Sequence, residues 1–210
     1  TNPLKGKIDR QKEPSGAQKI RYLAPDERAR LLAALEERDK SEKDYLKTAV
    51  LVSLNTGIRK GSLLALKWDD INWSQQRVLL RAETMKAEQA RTIPLNAVAL
   101  EALTEWRKRT DSNAIKSPFV FPGETPNTHL GDTKKPWNNL LKKANIQHFS
   151  WHCMRHDFAS QLAMMGVDIN TIKELMCHES LRMTLNYAHL SPLHTAQASG
   201  RLAELYKKKG

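Results

Sequence analysis

Trp151-His152-Cys153-Met154-Arg155-His156-Asp157-Phe158-Ala159-Ser160 is the densest polar cluster in the chain. Ser150 before it is a helix N-cap type. On a helix, residues three and four apart share a face, so His152 and Arg155 point the same way while Phe158 and Leu162 read as core. An amphipathic helix over 151–165 results, and it sets the pattern for its surroundings. Helical segments are expected at about 134–145, 169–177 and 180–189, with Asp168 capping the second of these three. A last helix is expected over about 193–206, ending in Lys207-Lys208-Lys209.

Towards the N-terminus helices also dominate. Pro25-Asp26-Glu27 opens one with proline and acids in its first turn, as the helix dipole favours. Ser41-Glu42-Lys43-Asp44 resembles a capping box for the next, which carries Leu46, Ala49, Val50 and Ser53 and stops at Gly57. A short helix covers Lys60 to Leu66, and Asn96 caps another running to about Arg109. Strand signals occur once: 77–81 and 91–94 flank a polar stretch and read as a hairpin. Residues 110–133, with three prolines and two glycines, are mostly loop. The fold class is mainly α with a small antiparallel β-hairpin or sheet (α+β). Residues 1–21 read as a basic linker with too little apolar surface to repay its ordering. Residues 22–190 form one domain, and 191–210 form a C-terminal helix and basic tail.

Composition narrows the partners. The chain has 210 residues, and 34 Lys and Arg against 23 Asp and Glu give a net charge of +11. Such an excess points to a polyanion, with nucleic acid ahead of an anionic membrane surface. No run approaches the ~18 apolar residues of a membrane span. The N-terminus lacks the apolar core of a secretory signal. The two cysteines, Cys153 and Cys177, read as reduced thiols of a cytosolic protein.

Four places could carry chemistry. His152, Arg155 and His156 form the first. Leu175-Met176-Cys177-His178-Glu179-Ser180 with Tyr187 and His189 forms the second, Thr56-Gly57-Ile58-Arg59 the third, and Lys86 at the hairpin tip the fourth. Each alone has a plain structural explanation: solvated polar residues, a core tyrosine, a charge at a helix end, a solvated loop. His152 and His156 are spaced like zinc ligands, with Cys177 and His178 as conceivable completions. However, no acidic residue follows His152 as in the zinc protease motif, and no CxxC pair exists.

Taken together, the order Arg59, Lys86, His152-x-x-Arg155, His178, Tyr187 resembles the tyrosine recombinases, the phage-integrase type of site-specific DNA recombinase. The resemblance spans residues 22–190. It includes Leu63-Leu64-Ala65-Leu66-Lys67-Trp68-Asp69-Asp70-Ile71, Arg91-Thr92-Ile93-Pro94-Leu95 after Lys86, Phe158-Ala159-Ser160 after His156, and Thr184. Four positions depart from the family's usual pattern. Ser62 stands where an acidic residue is common, Met176 and Cys177 replace the usual Leu-Gly before the second His, and Asp157 replaces Thr or Ser.

The resemblance implies a recombinase or integrase catalytic domain that cleaves and rejoins DNA through a 3′-phosphotyrosine. Tyr187 would be the nucleophile and Arg59 and Arg155 would bind the phosphate oxygens. Lys86 would protonate the leaving 5′-oxygen. His152 would be general base or phosphate partner, and His178 a donor to the phosphate. The chemistry fits the residue types. Phosphoryl transfer needs charge stabilisation, which two guanidinium forks supply without a metal, and a covalent intermediate conserves the ester bond without a cofactor. His189 is read as structural or supporting.

Double-stranded DNA is the implied partner. Arg77, Arg81, Arg91, Lys134, Lys135, Lys142 and Lys143 are its candidate contacts. The resemblance further implies a homotetramer on DNA, with the C-terminal helix exchanged between subunits or packed within its own chain. It also implies a bacterial or phage source, a nucleoid-associated location, and a fragment lacking an N-terminal DNA-clamping domain. Two other readings share these residues: a type IB topoisomerase-like relaxation activity, and a DNA-binding module that has lost catalysis.

Overall fold

A computed structural model describes residues 20–42, 44–85, 89–112 and 117–192. Eight helices are described: α1 (Pro25–Glu42), α2 (Leu46–Thr56), α3 (Lys60–Leu64), α4 (Ala97–Asp111), α5 (Lys134–Lys143), α6 (Trp151–Met164), α7 (Ile169–Leu175) and α8 (Leu181–Leu185). One antiparallel sheet, in the order β1-β2-β3, joins β1 (Ile71–Asn72), β2 (Arg77–Leu80) and β3 (Arg91–Pro94). The architecture is mainly helical α+β, as the sequence pattern predicts. Among the described residues no helix is long and apolar enough to cross a membrane.

α2 is the hub, packed between α4 and α6. Every residue of its sequence, LKTAVLVSLNT, is buried or half-buried, and Leu46, Ala49, Val50 and Val52 are fully buried. In the sheet Val78 pairs with Ile93 and both are buried, while Arg77 and Leu79 alternate outward. The sheet, α1 to α5 and the start of α6 share one large core, which includes Leu31, Leu63, Leu103, Phe121 and Met154. A separate small core joins the rest of α6 to the chain beyond it, through Ala159, Ala163, Ile172, Met176 and Tyr187.

Local signals placed most ends correctly. Asn96 accepts from the Ala99 amide at 3.0 Å, and Asp168 accepts from the Asn170 and Thr171 amides. Two details differ. Ser41 does not cap α2: α1 runs through it, and its hydroxyl donates to the Arg38 carbonyl. Asp44 takes the capping role, accepting from the Leu46 amide at 3.1 Å while paired with Arg38. Ser150 stands at the N-cap position of α6 without a side-chain cap bond, and its hydroxyl lies 3.3 Å from the Cys153 sulfur. β1 adds a strand that the sequence pattern does not announce, because two residues are too few for a periodic signal.

The domain's described N-terminal edge begins at Ile20, which packs on the small core. Arg21 pairs with Glu27 and lies over the Phe149 ring. The remainder of the expected linker, residues 1–19, and the expected C-terminal helix, 193–206, lie outside the described residues.

Candidate active site

The site begins where α2 stops. Gly57 takes a left-handed conformation (φ 64°) and donates its amide to the Ser53 carbonyl at 3.0 Å. A side chain here would be strained and crowded, since a Cβ would lie 2.5 Å from Phe158 Cδ1 and 3.0 Å from Met176 Sδ. The turn therefore lies tight against α6 and the end of α7. Arg59, half-buried, comes next as the N-cap residue of α3.

Arg155 is the central group. It sits on α6, only 6% exposed. Its guanidinium donates to the Gly57 carbonyl at 2.5 Å and to the Met176 carbonyl. Backbone from two separate turns thus holds the side chain. Burial, and then the nearby Arg59, push its pKa down to about 10, so it remains charged at neutral pH. The other arginines with buried aspartate partners behave differently: Arg28 pairs with Asp157, Arg81 with Asp70 and Arg109 with Asp39. Among the described residues neither Arg59 nor Arg155 has a carboxylate partner. The two cations repel each other, and Arg59 helps lower the Arg155 pKa.

Around this pair lie the other predicted groups. His178 is buried, with Nδ1 2.9 Å from the Thr184 hydroxyl. Burial, then Arg155 and Arg59, lower its pKa to about 4, so it is neutral at physiological pH. Cys177 before it adopts φ 49°, which explains why glycine is usual at this turn. His152 is exposed, and burial of part of its ring with Arg155 and Arg59 lowers its pKa. Tyr187 is 3% exposed, and its Oη lies 2.7 Å from His156 Nδ1. Burial raises the phenol pKa, while Arg155 pulls it down.

The structure thus brings together Arg59, His152, Arg155, His178 and Tyr187. Lys86 lies outside the described residues. Ser62, at the usual acidic position, is buried and donates to the Thr84 carbonyl at 2.7 Å, tying α3 to the segment leading towards Lys86. Asp157, another departure, is a buried anchor. It accepts from the Leu23 amide at 2.9 Å and from Arg28 at 3.0 Å, joining the start of the domain to α6. Burial nevertheless raises its pKa.

The histidines at the zinc-like spacing have other neighbours. His156 faces Tyr187 and His178 faces Thr184, and among the described residues no three His, Cys, Asp or Glu gather as metal ligands. Sequence reasoning missed the His156–Tyr187 contact and the two carbonyls that grip Arg155. The first joins residues 31 positions apart, and the second uses backbone atoms, which leave no mark in a sequence.

Of the candidate DNA contacts, Arg77, Arg91, Lys134, Lys135, Lys142 and Lys143 are exposed. Lys143 pairs with Glu37 at 2.9 Å. Arg81 is engaged internally, with Nε 2.6 Å from Asp70 Oδ1, whose carboxylate is buried.

Residues 21–194 match the Phage integrase family, and the chain belongs to that family. It is 30% identical over 200 residues to the integrase of Salmonella phage P22, covering 90% of this chain and 48% of that protein. It is 32% identical over 166 residues to the tyrosine recombinase XerA of Pyrococcus furiosus, covering 76% of this chain and 56% of the relative. The chain spans about half the length of the curated relatives it matches. Its fold is similar to the Tn1549 transposon integrase in complex with a circular intermediate DNA, with TM-score 0.72 and 22% identity over 92% of this chain and 68% of that one. The catalytic domain of bacteriophage HP1 integrase gives TM-score 0.65 and 23% identity over 87% of this chain and 95% of the other. These two likenesses establish the tyrosine recombinase catalytic fold.

Proposed function

We propose that this chain is the catalytic domain of a site-specific DNA recombinase or integrase. Tyr187 attacks a backbone phosphodiester, forms a 3′-phosphotyrosine and releases a 5′-hydroxyl. A 5′-hydroxyl from another strand then reverses the step. The observation that carries this reading is the Arg59–Arg155 pair, two cations without a carboxylate partner among the described residues, electrostatically coupled to a buried tyrosine. A phosphate placed there relieves their repulsion, and its transition state gathers more charge on the same oxygens. His152 and His178 supply further donors. Lys86, on the segment after Thr84, protonates the leaving oxygen.

Duplex DNA is the partner, contacted through Arg77, Arg91, Lys134, Lys135, Lys142 and Lys143. Arg81 drops from that group because Asp70 already holds it. Assembly is a homotetramer on DNA in which a C-terminal segment reaches a neighbour. Exposed Leu181, Met183 and Leu185 on α8, 38–50% accessible, support such a contact near the site. The integrase of phage P22 and the Xer recombinases carry names of the same activity.

The test uses a library of nicked duplexes with randomised sequence, incubated with the chain and then denatured in SDS. The expected result is a covalent protein–DNA species attached at Tyr187, absent from Tyr187→Phe. Denaturation-resistant adducts that persist in the phenylalanine variant, or none from the wild type, would overturn the assignment. Selected sequences placed on two plasmids then separate strand exchange from simple relaxation.

A further inference from the structure

We propose that His156, rather than His152, takes the proton from Tyr187 as the tyrosine attacks. This deepens the function proposed above and rests on Tyr187 being the DNA nucleophile. The geometry carries it. His156 Nδ1 lies 2.7 Å from Tyr187 Oη, and no other hydrogen bond to that buried hydroxyl is found among the described residues. A general base must be within hydrogen-bond reach of the proton it removes. His152, one turn earlier on α6, is exposed and meets the His156 ring edge-to-face at 4.8 Å. It is thereby left for the phosphate side of the site. Arg155, between them in sequence, turns to the Gly57 and Met176 carbonyls. Consecutive residues of one helix thus serve the two reacting partners, Arg155 the phosphate and His156 the nucleophile.

The proton inventory closes. The Tyr187 O–H bond breaks and its proton moves to Nδ1. The phenolic oxygen forms the new O–P bond, the P–O5′ bond breaks, and O5′ takes a proton from the general acid, assigned above to Lys86. Rejoining runs the same transfers backwards. Burial, His152 and Arg155 lower the His156 pKa and so favour the neutral ring, the state in which Nδ1 can accept. A bound phosphate brings negative charge beside these groups and so favours the imidazolium that forms during attack.

Two measurements on the full chain test this. Nitrogen-15 NMR of the free protein should show His156 protonated at Nε2, with Nδ1 accepting a hydrogen bond that disappears in Tyr187→Phe. A His156 protonated at Nδ1, or a Nδ1 signal indifferent to that substitution, overturns the proposal without reference to DNA. Cleavage of a nicked duplex recovered from the library is the second. His156→Ala and His156→Asn should each lose about 10²- to 10⁴-fold in rate with DNA binding retained, since an amide can hold the hydroxyl but cannot take its proton.

A 5′-bridging phosphorothiolate, whose sulfur leaves without protonation, should rescue Lys86→Ala and not His156→Ala. A His156→Asn variant cleaving within about 3-fold of wild type reduces His156 to a positioning residue and overturns the proposal. So does phosphorothiolate rescue of His156→Ala. A wild-type chain that cleaves no DNA instead overturns the reading of Tyr187, and this proposal with it.

Discussion

The two cores of this molecule hold the two halves of the proposed reaction. The large core anchors the phosphate side: Gly57 caps the end of α2, Arg59 caps the start of α3, and Met154 seats α6 in it. The small core, built from Ala159, Ala163, Ile172, Met176 and Tyr187, carries the proposed nucleophile on short elements, with α7 seven residues long and α8 five. Such short helices draw most of their stability from packing, and little packing is available. A phosphate-binding site benefits from being fixed, because preorganised charge costs nothing to align at the moment of reaction. A nucleophile that must approach, attack and later withdraw benefits from an element that opens at modest cost. Arg155 joins the halves by donating to one carbonyl from each, Gly57 from the large core's side and Met176 from the small core.

Removing the proposed nucleophile should have the largest effect. Tyr187→Phe is expected to lower covalent adduct formation by more than about 10⁴-fold while costing about 1 kcal/mol of stability from the lost hydrogen bond. Quantified SDS-resistant complexes and a urea melt measure both. Next comes the joint between the cores. Arg155→Lys keeps the charge but cannot fork to two carbonyls, so cleavage should fall about 10²- to 10³-fold. Its small core should also open more readily, seen as faster hydrogen exchange in α7 and α8 than in α2 and α4.

Asp157→Ala should cost about 2–3 kcal/mol, because Arg28 and the Leu23 amide lose their buried partner. Equal loss of exchange protection in both cores would show that this anchor serves the whole domain and not one half.

Acid should act on the small core through His178. Its folded pKa, about 4, lies below the unfolded value near 6.5, so the unfolded chain binds the proton first. Stability contributed by the neutral ring is full above pH 6.5 and is lost as pH falls towards 4. By pH 4.5 the loss reaches about 2–3 kcal/mol. Denaturant midpoints of wild type and His178→Asn from pH 7.5 to 4.5 check the difference in slope. The smallest effect belongs to the distant surface, where Arg107 lies over Trp68 and Trp73 at 5.6 and 5.4 Å. Arg107→Ala should cost about 0.5–1 kcal/mol and leave DNA cleavage unchanged.

Much of the fold was legible because its boundaries are local. Pro25, Gly57, Asn96 and Asp168 each act within four residues of themselves, and each marks a helix end in the structure. Ser41 misleads because a serine near a helix end can bond backwards as easily as forwards, and here it bonds to Arg38. The candidate site was legible as an ordered set of residues, Arg59, Lys86, His152, Arg155, His178 and Tyr187, but not as a geometry, which the structure gives for all of them except Lys86. Asp157 looks like a deviation from a pattern, and only its three-dimensional partners, Leu23 and Arg28, show its structural use. His156 fits a metal-ligand spacing in the sequence, while its contact with Tyr187 depends on how α6 meets the turn after α8.

The carbonyl grip on Arg155 has a consequence for any mutational survey. Replacing Met176 by alanine leaves the oxygen that receives the guanidinium in place, and Gly57 has no side chain to remove. A scan that truncates side chains to alanine and passes over glycines would therefore credit Arg155 with its whole effect and leave both of its holders unseen. Exposing them takes changes that move the main chain, such as Gly57→Ala, whose Cβ would meet Phe158. A backbone ester in place of the next amide, which weakens the Gly57 carbonyl as an acceptor, would do so more gently.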